Sequence, residues 1–250
     1  MSYKALAHCY DSFTGNMNYA KRADYVTALL LSNGVRSGDT LLDLACGTGG
    51  FTYPLQHHGF DMIGVDASEE MLAYAQAKAH AAEDAKAPMF LHQRLEALDL
   101  YGTARGAVCL TDSVNHLAEK DLATFLKRLY NFLEPNAPFV FDVNTEYKHE
   151  SILANHTFVY EDESTYCVWQ NAWDRKNAVT HIHMDVFSVN PAGFWLRESE
   201  DFAEYVHSER TLKHLLKKAN FELKYVYGEL TTDKPPKHAE RVYCVAVRQP

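Results

Sequence analysis

Thr40-Leu41-Leu42-Asp43-Leu44-Ala45-Cys46-Gly47-Thr48-Gly49-Gly50 is the stretch on which the reading of this chain turns. Leu41, Leu42 and Leu44 form a short apolar run of the kind that makes a strand buried on both faces. The glycines after it let the backbone turn tightly and come close to a ligand, because no Cβ stands in the way. A helix starting beyond such a turn aims free N–H groups and a partial positive charge at whatever lies in front of it. The next apolar run, Met62-Ile63-Gly64-Val65-Asp66, ends in an acid about 20 residues on. That is the distance at which a second-strand carboxylate meets a ribose hydroxyl in nucleotide-binding βαβ units. The dinucleotide fingerprint asks for a third glycine where this chain has Thr52, which argues against a pyrophosphate.

Working outward, the pattern alternates between strand and helix. Strand 40–45 leads to a helix near 49–58, strand 61–66, a helix near 69–81 and a short strand near 89–92. Strand 106–111, a helix near 119–132 and strand 138–143 follow. This alternation predicts an α/β fold: a doubly wound, Rossmann-like, mostly parallel sheet with helices on both faces, its ligand lying across the carboxyl ends of the strands. From Glu150 to Glu204 the helices stop. Residues 157–160, 166–170, 180–187 and 202–206 read as strands joined by turn-rich stretches such as Asp174–Asn177 and Asn190–Gly193, which means antiparallel hairpins. This is a β-insertion after the fifth strand, either a cover over the active site or an extension of the main sheet. The core resumes with a helix near 209–219, N-capped by Ser208 and ended at Asn220, and strands near 222–228 and 241–248 complete a seven-stranded sheet. The expected organisation is a core of 1–149 and 205–250, with 1–38 as an N-terminal helix or lid, and an insertion of 150–204.

The 250 residues are 47% hydrophobic, enough for one large α/β domain with an insertion. The net charge of -9 makes a poor match for anionic partners, nucleic acid or membrane. The five cysteines are scattered and form no C-x-x-C pair, so reduced thiols in a cytoplasmic protein are expected. No apolar h-region follows Met1-Ser2-Tyr3-Lys4, and no run is long enough to span a bilayer.

The segment Asp43–Gly50 closely resembles the glycine-rich motif of class I S-adenosylmethionine-dependent methyltransferases. Gly64-Val65-Asp66-Ala67-Ser68, followed by Met71-Leu72-Ala73-Tyr74-Ala75, resembles their next motif. The resemblance implies S-adenosylmethionine as cofactor. It gives Asp43 the methionine end, lays the backbone from Ala45 through Gly47 to Gly49 against it, and gives Asp66, with Ala67 beside it, the ribose hydroxyls. Met71 becomes an apolar contact. Tyr10, Tyr19 and Arg22 are then either lid residues over the cofactor or anchors of the first helix. In His92-Gln93-Arg94-Leu95-Glu96, Arg94 stands where many relatives carry an acid for the adenine amino group. Leu95 is placed to pack on the adenine, with Gln93 or the backbone supplying polarity.

Leu110-Thr111-Asp112-Ser113-Val114-Asn115-His116-Leu117 resembles the Asp-Ser-x-Asn-x-Leu run of a group of bacterial small methyltransferases. It puts Asp112 near the methionine amino group or the reacting methyl, with Asn115 and His116 beside it. A neutral imidazole at that point is either a general base or a structural histidine at a helix entry. In Phe141-Asp142-Val143-Asn144-Thr145, Asn144 is a candidate acceptor ligand and Tyr147 a candidate lining residue, while Asp142 either joins them or holds a loop. His181-x-His183 would share one strand face, but no ligand set at recognised spacing completes a metal site, so no metal is expected.

The expected reaction is in-line methyl transfer to the nitrogen or oxygen of a small-molecule acceptor. The rivals are an RNA or protein methyltransferase, a non-catalytic module binding S-adenosylmethionine or S-adenosylhomocysteine, and, further off, an oxidoreductase. The acidic composition sets nucleic acid behind a small molecule. The oligomeric state stays open, a homodimer included.

Overall fold

The computed structural model describes residues 6–81, 87–190 and 192–250. The first five residues of the expected N-terminal segment, and Pro191 of the expected 190–193 turn, lie outside them. A short helix α1 (Tyr10–Phe13) precedes α2 (Tyr19–Ser32), and β1 (Thr40–Leu44) opens the main sheet. There follow α3 (Thr52–His57), β2 (Asp61–Asp66), α4 (Glu69–Ala81), β3 (Met89–His92), β4 (Gly106–Cys109), α5 (Glu119–Phe132) and β5 (Pro138–Asn144). After a π-helical turn at Lys148–Leu153 come β6 (Thr157–Glu161), β7 (Thr165–Asp174), β8 (Val179–Val189) and β9 (Trp195–Tyr205). The chain closes with α6 (Glu209–Lys218), β10 (Phe221–Gly228) and β11 (Arg241–Arg248).

The main sheet has seven strands in the order β3-β2-β1-β4-β5-β11-β10. The first five run parallel; β11 pairs antiparallel with both β5 and β10. Strand order reverses between β1 and β4, which puts the ligand crevice at their carboxyl ends. Every residue of β5 is buried, as a strand covered on both faces requires. On one face α2 inserts Ala23, Val26, Leu29 and Leu30 beside Leu55 of α3 and Tyr243 of β11. On the other, Leu122, Phe125 and Leu129 of α5 meet Leu212, Leu215 and Leu216 of α6. Each such side chain contributes about 1.5–3 kcal/mol on full burial. The Ser208 hydroxyl accepts from the Thr211 N–H at 3.0 Å, the expected N-cap, and Asn220 follows α6 in a left-handed conformation (φ 62°).

The insertion is a separate antiparallel sheet in the order β6-β7-β8-β9, not an extension of the main one. Along β8, Thr180, Ile182, Met184 and Val186 face inward, and His181, His183 and Asp185 outward. The inner face receives the N-terminal segment: Leu6 and Cys9 pack with Cys167, Ile182, Met184 and Val186 in a small third core.

Among the boundaries that differ from expectation, three have a local reason. The first crossover helix begins at Thr52, because Gly47 and Gly49 are left-handed (φ 55° and 81°). The fourth parallel strand stops at Cys109, because Thr111 and Asp112 are left-handed too (φ 56° and 54°). Strand β9 starts at Trp195, well before residue 202. Its first residues are exposed on both faces and carry no alternation, and pairing with β8 alone makes them a strand.

Candidate functional site

The glycine turn is tied to the end of β2 by one carboxylate. Asp66 accepts from the Gly47 N–H through Oδ2 and from the Ser68 N–H through Oδ1, each at 2.8 Å. Burial raises its pKa against those bonds. Asp43 is 2% exposed, and its Oδ2 accepts from the Thr52 hydroxyl at 2.6 Å. Burial lifts the Asp43 carboxyl to about 7 despite that bond. Ala45 adopts φ 58° so that the chain can leave β1 and turn. Gly50 is needed for a different reason: a Cβ there would stand 2.7 Å from the Tyr19 ring.

These groups surround a cavity at the carboxyl ends of β1, β2 and β4. Its empty space, mouth included, is about 1020 Å³, at the upper end for small-molecule sites. Asp43, Ala45, Gly47, Asp66, Ala67, Met71 and Leu95 all line it. Tyr10 and Tyr19 contribute from the N-terminal segment, and Thr111, Ser113 and His116 from the loop after β4. The Tyr10 hydroxyl is hydrogen-bonded to the Thr111 side chain, and Tyr19 to Tyr10. Asp11 fastens the segment down, accepting from the Thr48 hydroxyl and from Lys78, each at 2.6 Å.

Arg94 reaches the cavity and pairs with Glu96, its Nε donating at 2.6 Å. Glu96 also lines the cavity. An acid is therefore present at the end of the third strand, two residues later than the motif places it.

Several of the candidate residues do not line the cavity. Arg22 is engaged elsewhere: it donates to the Met17 carbonyl (2.7 Å) and the Tyr243 hydroxyl (3.0 Å) and pairs with Glu229 (2.6 Å). It anchors α2 and is no lid residue. Gly49 backs onto Tyr53, 2.8 Å from where its Cβ would be. The Gln93 amide closes its own loop, donating to the Asp99 carbonyl and accepting from the Asp99 N–H, both at 2.9 Å. Asn115 is fully buried. Its Oδ1 accepts from the Asn144 N–H (2.9 Å), and its Nδ2 donates to the Tyr205 carbonyl (2.9 Å) and more weakly to that of Asn144 (3.3 Å). With those bonds made, it is a clamp between the core and β9 instead of a catalytic group. Asp112 and Asn144 belong to a polar cluster beside the cavity. Tyr147, expected to line the site, stacks near His238 instead, ring centres 4.8 Å apart.

The cluster is built from five separated parts of the chain. Asp142 of β5 accepts from the N–H groups of Thr111 (3.2 Å) and Asp112 (2.6 Å), and so holds the left-handed loop that carries His116. Arg241 of β11 bridges Asp142 (2.9 Å) and Asp112 (2.5 Å). Burial opposes ionisation of Asp112, but Arg241, Lys148 and His116 hold its carboxyl well below the usual range. Lys148 donates to Asn144 Oδ1 (2.9 Å), and Asn144 Nδ2 donates to Oε2 of Glu204 (3.1 Å), a residue of β9 that is 2% exposed. His149 Nε2 lies 3.8 Å from the same oxygen, its Nδ1 hydrogen-bonded to the Thr180 hydroxyl at 2.8 Å. Burial lowers His149 to about 4 and lowers His116 as well, in the latter against Asp112 and a hydrogen bond to the Ala203 carbonyl. Burial thus favours the neutral form of the His116 imidazole. Sequence reasoning missed Arg241, Glu204 and Lys148, because nothing in a closing hairpin, a β-insertion or a surface-like turn marks them.

His181 and His183 do share the outer face of β8, but His183 is taken by Asp201 (2.8 Å) and faces Asp185 (3.4 Å). Among the described residues, no helix is long and apolar enough to cross a membrane.

Residues 41–136 match a family model described as a methyltransferase domain. Over its whole length the chain is similar to the YqeM protein of Bacillus subtilis (strain 168), whose name gives it provisionally as a methyltransferase. The two are 29% identical over 97% of this chain and 96% of that one. The crystal structure of an S-adenosylmethionine-dependent methyltransferase from Clostridium acetobutylicum superposes with a TM-score of 0.86, at 26% identity over 99% of both chains. The fold is also that of the sugar N-methyltransferase KedS8 from a Streptoalloteichus species. Its TM-score is 0.75 at 22% identity, over 96% of this chain and 93% of that one.

Proposed function

The chain belongs to the class I S-adenosylmethionine-dependent methyltransferases, and on that premise we propose that it methylates the amino nitrogen of a small molecule in the cytoplasm, with the 150–204 insertion bounding the acceptor side. The cavity suits the cofactor chemically. Its lining offers two acids, apolar surface from Met71 and Leu95, and left-handed backbone at Ala45 and Gly47. Asp66 would hold the ribose hydroxyls, Asp43 the methionine end, and Leu95 with Glu96 the adenine. When bound, S-adenosylmethionine supplies a methyl group made electrophilic by a sulfonium. The protein's own work is then to orient an acceptor, exclude water and receive a proton.

The observation that carries the amine reading is the position of His116. Its ring is common to the wall of the cofactor cavity and to that of an open groove along β9, lined by Ser199, Glu200, Phe202 and Tyr205. An acceptor in that groove meets the cavity only at His116. Glu200 gives the groove negative charge, which suits an amine that arrives protonated. The neutral His116 imidazole takes the proton from the nitrogen and leaves its lone pair free. The name of KedS8, a sugar N-methyltransferase, is in keeping with this, as is the chain's net charge of -9. The five thiols are free, which fits a reducing compartment.

The test is methyl transfer from labelled S-adenosylmethionine to glycine, sarcosine and glucosamine, beside glycolate and glucose as hydroxyl-only counterparts. The expected result is transfer to amines alone, slowed about 100-fold or more in His116→Ala. Transfer to the hydroxyl compounds at matching rates, or an unaffected His116→Ala, would defeat the amine reading.

A further inference from the structure

We infer that Glu204, carried to the acceptor side by the insertion, is the positioning residue that makes His116 basic enough to take the acceptor's proton. This rests on the reading of His116 given above.

A buried imidazole is a poor base, since its charged form loses hydration. It needs a carboxylate within reach that is not already committed. A side-chain oxygen of Asp112, one of Glu204 and a ring nitrogen of His116 all lie within 4.8 Å of one another. Asp112 is committed: the Arg241 guanidinium, which also serves Asp142, is bonded to it. Glu204 has no guanidinium. Its bonded partner is the neutral Asn144 amide, and the nearest cation, Lys148, is held off on the other end of that amide. The groups around it are Asp112 and His116 from the loop after β4, Arg241 from β11, Lys148 and His149 from the π-helical turn, and His207 beside His149. Two permanent cations thus face three acids, Asp112, Asp142 and Glu204. The balance is met when a neighbouring imidazole becomes protonated.

The step is a proton transfer only. The N–H bond of the acceptor ammonium breaks, an N–H bond forms on His116, and the positive charge moves with the proton from acceptor to ring. Glu204 stays ionised and stabilises the imidazolium through space, touching no substrate. Burial and Asp112 push its carboxyl up to about 7, with Asn144 and Lys148 opposing. A proton on His116 draws that carboxyl back down in turn, so the two groups titrate as a coupled pair.

The experiment follows the His116 ring by NMR against pH, its signal assigned by its loss in His116→Gln. The protein is first saturated with S-adenosylhomocysteine, and no acceptor is needed. In Glu204→Gln the His116 midpoint is expected to fall by about one pH unit, a tenfold loss of proton affinity. Affinity for S-adenosylhomocysteine should stay within about threefold, and Glu204→Asp should restore most of the shift. A His116 midpoint that is the same in Glu204→Gln as in the parent overturns the inference. Should Glu204→Gln not fold, the wild-type curve decides: a second inflection as Glu204 ionises supports the coupling, and a single inflection overturns it. Failure to bind S-adenosylhomocysteine would break the methyltransferase reading instead, and the same titration on unliganded protein would still test the coupling.

Discussion

Replacing Arg241 by methionine tests how the loop that carries His116 is held. The guanidinium is buried and donates to Asp142 at 2.9 Å and to Asp112 at 2.5 Å. Methionine keeps much of the side-chain volume but leaves two acids side by side without their bonded counter-ion, one of them 1% exposed. Two charge-assisted hydrogen bonds at about 1.5–3 kcal/mol each set a range of about 3–6 kcal/mol. Removing one partner of a buried ion pair costs about 3–5 kcal/mol. The expected loss is therefore about 4 kcal/mol, a large share of a stability of about 5–15 kcal/mol. Urea unfolding at pH 8, followed by circular dichroism, should show it as a lower midpoint with an unchanged slope. The pH dependence carries its own sign. A stranded carboxyl has its folded-state pKa raised above the unfolded one, so the folded state binds the extra proton and stability falls as pH rises. The gap between variant and parent should be widest at pH 8 and should narrow toward pH 5. Adding Asp112→Asn to Arg241→Met should recover part of the loss, since one stranded charge is then gone. A loss below about 1 kcal/mol, or a gap that does not narrow in acid, would refute the account of this cluster.

Two further outcomes are expected elsewhere. Asp66→Ala removes the carboxylate that both ties the glycine turn and faces the cavity. S-adenosylmethionine should bind weaker by about 2 kcal/mol or more, roughly 30-fold, in a calorimetric titration; unchanged binding would remove Asp66 from the ribose. His149 has a folded-state pKa of about 4 against an ordinary value of 6.5, so as pH falls from 6.5 to 4 the unfolded chain takes up a proton that the native state refuses. Its contribution, on the order of 3 kcal/mol, is lost across that window. Asp43 and Glu204, both raised to about 7, work with the opposite sign, so the test is the difference between parent and His149→Gln. That difference should change in the parent's disfavour from pH 6.5 to 4; parallel stability curves would show that His149 is not buried neutral.

The strand-end lining of the cavity was legible because its pattern is local. Asp43, Ala45, Gly47 and Asp66 stand at strand ends, where strand periodicity and a glycine turn fix direction, and all four line the cavity. The third strand's end was less so. There the motif's acid position holds Arg94, and only the packing shows that Glu96 reaches the same space from the next turn. The polar groups after β4 and β5 misled for a different reason. Asn115 and Asn144 stand beside the His116 loop in sequence or space, yet both are bonded to β9. Short polar side chains at strand ends serve equally for binding and for satisfying buried backbone, and the choice depends on what the distant chain brings. That partner was Tyr205 and Glu204, about 90 and 60 residues away along the chain, and no local pattern encodes it.

The same bonds limit how far the insertion can be treated as a detachable cover. Cutting out 150–204 would strand the Asn144 amide, which donates to Glu204, and would remove the inward face of Ile182, Met184 and Val186 that receives Leu6 and Cys9. Each buried polar group left unpaired costs about 1–3 kcal/mol, and the N-terminal segment would lose its seat. That segment carries Tyr10 and Tyr19 to the cofactor cavity, so a wholesale deletion would damage both halves of the site together. The exposed end of the insertion is different. Phe194, Trp195 and Leu196 at the start of β9 touch neither the cavity nor the polar cluster. Changes confined there leave Glu204 and the Asn115 clamp in place. The boundary between core and insertion therefore runs across β9 itself: its last two residues, Glu204 and Tyr205, are bonded to Asn144 and Asn115, and its exposed beginning is not.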